Sequence, residues 1–110
     1  MVSSRQFEAA LRQLPVPGGR QLDFLHFHEK AKARAVTATM LGDRAGYKSY
    51  RPINLLYGTL AKQIGEKLVI PHQGLALLCD FFKPGEITNE QWVLIMRPEF
   101  ADGLKRAKWL

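Results

Sequence analysis

The strongest structural signals of this 110-residue chain lie in residues Val36–Leu68, VTATMLGDRAGYKSYRPINLLYGTLAKQIGEKL. Thr37 suits the N-cap of a short helix, and Gly46 suits the left-handed position that commonly follows a helix. The inward face of this short helix is expected to consist of Met40, Leu41 and Ala45. Ser49 suits the cap of a second helix. Pro52 would fall in the first turn of that helix, where a missing N–H breaks no hydrogen bond. The stretch therefore predicts a helix-turn-helix whose second helix continues to its end.

At about 100° per residue, this second helix separates into two faces. The apolar face, which should pack on the preceding helices, consists of Ile53, Leu56, Tyr57, Leu60, Ile64 and Leu68. The opposite face carries Arg51, Asn54, Gly58 and Lys62, with Leu55 and Gly65 beside them. Arginine can form paired hydrogen bonds with guanine, and asparagine can form them with adenine. The polar face therefore predicts contact with duplex DNA, with Lys62 placed for phosphate.

Gly58 and Leu55 are the unusual members of this polar face. A glycine inside a helix costs about 1 kcal/mol relative to alanine, so a close approach is expected at Gly58. The approaching group is either another helix, which is the favoured interpretation, or DNA. Leu55 would contact either the methyl group of thymine or of a methylated cytosine, or a protein partner.

Basic and hydroxyl side chains stand where the second helix begins. Lys48, Ser49 and Tyr50 come directly before Arg51, and the first residues of a recognition helix usually reach the bases. Free N–H groups at a helix N-terminus also bind phosphate. We therefore predict DNA contacts from these residues, and a further phosphate or minor-groove contact from Lys83.

Other segments of the chain carry recognisable patterns. They are a short helix and a Pro/Gly break over residues 1–19, a helical pattern over 21–34, strand candidates over Leu75–Phe82 and Gln91–Met96, and a last helix from Pro98. The two strand candidates predict a hairpin over residues 75–97, the wing. We expect one domain over residues 1–110 of the α+β class, mainly α: a winged helix-turn-helix with a C-terminal β-hairpin and a short final helix.

The charge balance favours an anionic partner. Sixteen Lys and Arg against ten Asp and Glu give a formal net charge of +6 and a pI near 9.8, and a basic surface attracts nucleic acid. No segment approaches the roughly 20 apolar residues that span a bilayer, and the N-terminus lacks the apolar core of a secretory signal. We therefore expect a cytoplasmic protein with no membrane contact.

Familiar catalytic and metal-binding patterns are absent from the sequence. There is no nucleophile elbow, phosphate-binding loop or dinucleotide fingerprint. His26, His28 and His72 lack zinc-site spacing, so surface or partly packed histidines are expected. Cys79, the only cysteine, lies in an apolar stretch where a buried, unreactive thiol is expected, with Asp80 exposed beside it. The sequence predicts no enzyme activity, no metal and no cofactor.

About two-thirds of the chain resembles a module of bacterial proteins, some of them HNH-type or restriction-like endonucleases and others small related proteins, with the pattern LA…GY.SY..VNL.YG.LA. The matching residues are Leu41, Gly46, Tyr47, Ser49, Tyr50, Asn54, Leu55, Tyr57, Gly58, Leu60 and Ala61. The resemblance implies DNA recognition linked to restriction, phage defence or mobile elements. The histidine-asparagine-histidine centre of an HNH nuclease is missing, so the resemblance implies the DNA reader without the nuclease domain.

Two functions from different classes remain open. The first is a non-catalytic module that binds duplex DNA and reads a sequence or a modified base. The second is a small protein-binding module, such as an adaptor or an inhibitor encoded by a mobile element. Its interface anchors would be Leu55, the tyrosines Tyr47, Tyr50 and Tyr57, and Trp92 or Trp109. The acids Glu86 and Glu90 in the expected wing oppose DNA contact and favour the second function. The sequence leaves the oligomeric state open.

Overall fold

The computed structural model describes residues 1–47, 51–71, 73–82 and 93–110 of the chain. This part forms five α-helices and a three-stranded antiparallel sheet, which confirms the expected α+β, mainly helical class. The helices are α1 (Ser4–Arg12), α2 (Gly19–Lys30), α3 (Ala38–Ala45), α4 (Arg51–Leu68) and α5 (Pro98–Arg106). The strands are β1 (Ala35–Thr37), β2 (Cys79–Phe82) and β3 (Val93–Met96), and short 3-10 helices span Lys32–Arg34 and Gly74–Leu77.

β3 is the central strand of the sheet, in the order β1-β3-β2. Val36 of β1 lies opposite Leu94 of β3, and Met96 of β3 lies opposite Cys79 of β2. These four side chains are buried, so they form the core side of the sheet. Because side chains alternate along a strand, Asp80 lies on the other side and is exposed, as the sequence predicted.

The ends of α3 have the local chemistry that the sequence predicted. The hydroxyl oxygen of Thr37 accepts a hydrogen bond of 3.1 Å from the backbone N–H of Met40, which caps the helix. Gly46 follows α3 with a φ of 83°, and the N–H of Tyr47 donates to the carbonyl of Gly42 at 2.8 Å. This is the hydrogen-bond pattern of a Schellman ending, in which one residue must be left-handed.

α4 and α5 end in the same way but without glycine. Val69 follows α4 with a φ of 54°, and the N–H of Ile70 donates to the carbonyl of Gly65 at 3.1 Å. Lys108 follows α5 with a φ of 63°, and Trp109 then turns back into the core. A left-handed conformation is strained for residues with a Cβ, so the sequence contains no clear signal for these two endings.

α1 and α5 pack against each other at very close range. The rings of Phe7 and Phe100 have centroids 5.3 Å apart, and both side chains are buried. A Cβ added at Gly103 would lie 2.5 Å from the Cβ of Phe7 and 3.3 Å from the backbone nitrogen of Glu8. Because backbone cannot move aside as a flexible side chain can, this helix crossing requires glycine.

Two predicted element boundaries are wrong. α2 ends at Lys30 rather than near Arg34, because Arg34 and the residue before it adopt φ values of 53° and 56°. The first strand of the expected hairpin begins at Cys79 rather than at Leu75, because Leu75 belongs to a 3-10 helix. Both segments have helical or strand-like composition, but the backbone turns there.

The sequence also missed β1 and misplaced one side chain of α3. β1 has three residues, which is too short to show the alternation by which strands are recognised. Met40, expected to face inward, is 46% exposed, whereas its neighbour Leu41 is completely buried. The inward side of α3 is therefore narrower than the pattern predicted.

Candidate nucleic-acid interface

One side of α4 is exposed and carries the residues that the sequence selected as its polar face. Arg51, Asn54, Leu55 and Lys62 are exposed, and Gly58 lies half-buried among them. We call these five residues the α4 face. Residues three or four apart are neighbours on a helix surface, so the α4 face is continuous. A rise of about 1.5 Å per residue makes it about 16 Å long.

The opposite side of α4 is packed into the core, as predicted. Ile53, Tyr57 and Ile64 are completely buried. The expectation that Gly65 lies beside the polar face is wrong, because Gly65 is buried near the side chain of Ile70. Phe24 of α2 packs edge-on against Tyr57, with ring centroids 5.1 Å apart. These contacts determine which side of α4 faces outward, and they leave the α4 face available to a partner.

His28 of α2 links this buried side of α4 to the sheet. Its Nδ1 lies 2.6 Å from the hydroxyl oxygen of Tyr57, and its Nε2 lies 3.0 Å from the carbonyl oxygen of Leu94 in β3. A carbonyl oxygen only accepts hydrogen bonds, so Nε2 carries the proton and donates to it. Nδ1 then accepts a hydrogen bond from the Tyr57 hydroxyl. Both polar groups are satisfied inside the core.

Burial determines the protonation of this pair. Loss of solvent around His28 lowers its pKa from 6.5 to about 4, although the hydrogen bond to the Leu94 carbonyl acts in the opposite direction. Burial likewise raises the pKa of the Tyr57 hydroxyl well above 10.0. Both side chains are therefore neutral at pH 7, and the imidazole acts as a structural hydrogen-bonding group.

The expectation that His28 is at most partly packed is wrong, because its side chain is completely buried. A signal for this burial exists in the sequence. Phe24 and Leu25 precede His28 by four and three residues, so the three side chains share one face of α2, and all three are buried. His26 lies on another side of α2 and is exposed, as expected.

Gly58 has open space around it. No atom of the described residues lies within 4 Å of the position that an added Cβ would take there. The favoured interpretation of Gly58, close approach of another helix, is therefore wrong. The glycine leaves bare helix backbone in the middle of the α4 face.

Acids lie beside cations on other elements of the protein. Ion pairs with N–O distances of 2.7 to 3.6 Å join Arg12 to Glu8, Arg44 to Asp23, Arg97 to Asp80, Lys105 to Glu29 and Arg106 to Asp102. Lys62 forms no ion pair with any residue that the structure describes. The acid of α4 is Glu66, one turn beyond Lys62. Lys67, in the same last turn, has the opposite charge to Glu66, so the net positive charge of this helix comes from Arg51 and Lys62.

Several of the predicted contact residues lie outside the described residues. They are Lys48, Ser49, Tyr50, Lys83 and Trp92, together with the acids Glu86 and Glu90 of the expected wing. Their roles stay predictions. The structure brings Arg51, Asn54, Gly58 and Lys62 together on one surface.

Two of the residues named as anchors for a protein partner are not accessible. Tyr57 is completely buried, and Trp109 is 7% exposed. Tyr47 is half-buried, with the guanidinium carbon of Arg20 placed 5.5 Å from the centre of its ring. Leu55 is 70% exposed, so it is accessible to a partner, and its role as an anchor stays a prediction.

An apolar groove runs beside a different side of α4. Its volume is about 210 Å³, and its apolar lining includes Pro15, Val16, Pro17, Leu56, Leu60 and Trp109. Leu56 and Leu60 are half-buried and lie across the helix from Lys62. The groove is therefore separate from the α4 face.

Cys79 is buried in the core, as the sequence predicted. Burial raises the pKa of its thiol to about 12, so the thiol stays protonated. In the part of the chain that the structure describes, no three His, Cys, Asp or Glu side chains are grouped closely enough to hold a metal ion.

No known protein family, no curated protein and no solved structure matches this chain. Among the described helices, none combines the length and the apolar character needed to cross a membrane.

Proposed function

We propose that this protein is a winged helix-turn-helix module that binds duplex DNA through the α4 face and has no catalytic activity. The observation that carries the proposal is the exposure of Arg51, Asn54 and Lys62 on one continuous surface of a helix whose other side is packed. Arginine and asparagine form paired hydrogen bonds with guanine and adenine, and lysine binds phosphate.

The order of the elements supports this proposal. α2, β1, α3, α4, β2 and β3 follow one another, and β1 pairs with β3 beside β2. In helix-turn-helix proteins the second helix of the pair enters the major groove. In this proposal α4, which follows α3 and the left-handed Gly46, is that second helix, and β2 and β3 are the strands of the wing.

The size of α4 suits the groove that it would enter. A helix with its side chains is about 10–12 Å across, and the major groove is about 12 Å wide. In the last turn of α4, Glu66 offsets the charge of Lys67, so this end adds no net attraction for phosphate. We therefore assign the contact to the N-terminal part of the helix, from Arg51 to Lys62.

A titration of labelled duplex DNA by fluorescence anisotropy tests the proposal. The probe is a random-sequence duplex of about 30 base pairs, measured at about 50 and 200 mM salt. We expect binding at low salt that weakens steeply at higher salt. A second measurement uses duplexes of preferred sequence, selected with the parent protein. Each paired base contact is worth about 1–3 kcal/mol in such a sequence, so the double variant Arg51→Ala/Asn54→Ala should bind these duplexes at least about tenfold more weakly than the parent does.

A matched variant on α1 serves as the control for this titration. Arg5→Ala/Gln13→Ala also removes one arginine and one amide, from exposed positions outside the α4 face. It should lose far less affinity than the α4 variant. No binding at low salt, or equal losses in the two double variants, would contradict the proposal.

A protein-binding module is the second candidate, and the exposure of Leu55 is the observation that favours it. It becomes the better candidate if no duplex is bound at low salt. It predicts a complex with a protein partner that persists in high salt, because apolar contacts are not screened. Leu55→Asp should abolish that complex, whereas Val16→Asp, at another exposed apolar residue, should not.

A further inference from the structure

Leu55 is an aliphatic side chain among hydrogen-bonding ones. It is 70% exposed, whereas the other large aliphatic side chains between Arg51 and Leu68 are buried or half-buried. Its burial against an apolar group of a partner would release water from most of its surface, which is favourable. The partner of the α4 face should therefore present an apolar group at this position.

The surroundings of Leu55 restrict what that group can be. Arg51 lies one turn before Leu55 and Gly58 nearly one turn after it, and residues at these spacings are neighbours on a helix surface. Gly58 has no side chain, and the space beside it is open. A flat group can therefore reach the helix backbone next to Leu55 while Arg51 and Asn54, which both lie on one side of Leu55, form hydrogen bonds beside it.

The edge of a base pair in the major groove meets these requirements. It is flat and rich in hydrogen-bonding groups, and its apolar group is the 5-methyl group of a pyrimidine. We propose that Leu55 recognises the 5-methyl group of a pyrimidine, thymine or 5-methylcytosine, that lies next to the base contacted by Arg51. This inference rests on the proposed DNA binding and adds to it the chemical group that is read.

The test begins with a selection of bound duplexes from a library of random sequence. In the selected duplex, each thymine is then replaced singly by uracil, which keeps the hydrogen bonds and removes only the methyl group. Each cytosine is replaced singly by 5-methylcytosine. We expect one position at which loss of the methyl group weakens binding about fourfold, or gain of it strengthens binding about fourfold, as for burial of one methyl group.

Two variants test whether Leu55 causes the methyl-dependent difference in affinity. Leu55→Ala should still fold and bind, because the side chain is exposed, but its affinities for methylated and unmethylated duplexes should be equal. Val16→Ala removes methyl groups from an exposed residue beside the groove and should keep the discrimination. Thermal unfolding of both variants checks that they fold.

The substitutions also separate the two sources of the methyl group. An effect confined to thymine-to-uracil changes identifies thymine, and an effect confined to cytosine methylation identifies 5-methylcytosine. Equal affinity for every methylated and unmethylated pair, or discrimination that survives in Leu55→Ala, overturns the inference but leaves DNA binding intact. Absence of any duplex binding at low salt overturns the proposed function and this inference together.

Discussion

A hydrogen bond of 2.6 Å joins His28 of α2 to Tyr57 of α4, and a second bond of 3.0 Å joins the same imidazole to Leu94 of β3. Three elements therefore meet at one neutral side chain. Apolar packing alone is tolerant of small rotations, whereas hydrogen bonds have preferred directions. The pair thus helps to fix the rotation of α4 about its own axis, and with it the direction of the α4 face.

The buried imidazole of His28 should make the stability of the protein depend on pH. Folded His28 stays neutral down to about pH 4, whereas in the unfolded chain it takes up a proton near pH 6.5. Between these values the unfolded state binds more protons, so the free energy of unfolding rises with pH and levels off above about pH 6.5. From pH 7 to pH 5 we expect His28 to cause a loss of about 2 kcal/mol.

Urea unfolding at the two pH values measures this loss, and two histidine variants give the comparison. His28→Gln has no titrating group, so its stability should change with pH much less than that of the parent protein. His26→Gln, at an exposed position, should keep the full dependence. If His28→Gln shows the same pH dependence as the parent, the imidazole does not titrate as described.

Two glycines provide the second prediction at the residue scale. Gly58→Ala should raise the free energy of unfolding by up to about 1 kcal/mol, because alanine is the better helix former and the space at Gly58 is open. Gly103→Ala should lower it by about 1–3 kcal/mol or more, because the added Cβ would meet Phe7 and the backbone of α1. Chemical denaturation of both variants measures the difference.

Gly58→Ala also tests whether DNA contacts the helix backbone at this position. If DNA approaches the backbone at Gly58, the alanine variant should bind duplex DNA more weakly although it is more stable. A Gly58→Ala protein with lowered stability would show that the space at Gly58 is filled. Unchanged affinity would show that DNA does not come close at this position.

Among the elements, α4 ends with a residue whose backbone conformation is strained. Val69 is 89% exposed and left-handed, with a φ of 54°. A left-handed residue with a Cβ costs about 1–2 kcal/mol, which glycine avoids at the expense of a more flexible unfolded chain. Val69→Gly should therefore raise the free energy of unfolding by roughly 0.5–1 kcal/mol, and thermal or urea unfolding measures it.

Val69→Ala is the control for this change. Alanine retains the Cβ that causes most of the strain, so its gain should be smaller than that of glycine. Equal stability of the three proteins would mean that the end of α4 is not strained. Because Val69 lies beyond the α4 face, DNA affinity should be the same in all three.

Elements whose ends have their own chemistry could be predicted from the sequence. Thr37 and Gly46 bound α3 as expected, and Pro52 lies in the first turn of α4, because a cap hydroxyl, a left-handed glycine and a proline each act locally. Val69 and the strand β1 could not be predicted in this way. A left-handed valine and a three-residue strand are stabilised by the rest of the fold, and the local sequence does not favour them.

In the candidate site, too, features that depend on local sequence could be predicted, and features that depend on packing could not. The α4 face follows from helical periodicity, so Arg51, Asn54 and Lys62 could be predicted to share an exposed surface. The open space at Gly58 and the complete burial of Tyr57 depend on what the neighbouring elements leave or cover. Those features required the packing of α2, α4 and the sheet.

For the whole molecule, with its net charge of +6, we expect the proposed DNA binding to weaken with salt according to the number of phosphates that its cations contact. Each phosphate contact releases counterions, so the slope of log affinity against log salt is proportional to the number of contacts. Lys62→Ala should reduce the slope of log affinity against log salt by about one, the value for one phosphate contact. Lys108→Ala, an exposed lysine after α5, should leave the slope nearly unchanged, and anisotropy over a range of salt measures both.

The most direct test of DNA binding by the α4 face is an NMR titration of the ¹⁵N-labelled protein with duplex DNA. At low salt, we expect the largest changes in amide chemical shift in α4, from Arg51 to Lys62, and in the residues just before it. The amide shifts of α1 and α5 should change little. Shifts that stay constant throughout, or changes centred on α1 and α5, would contradict it.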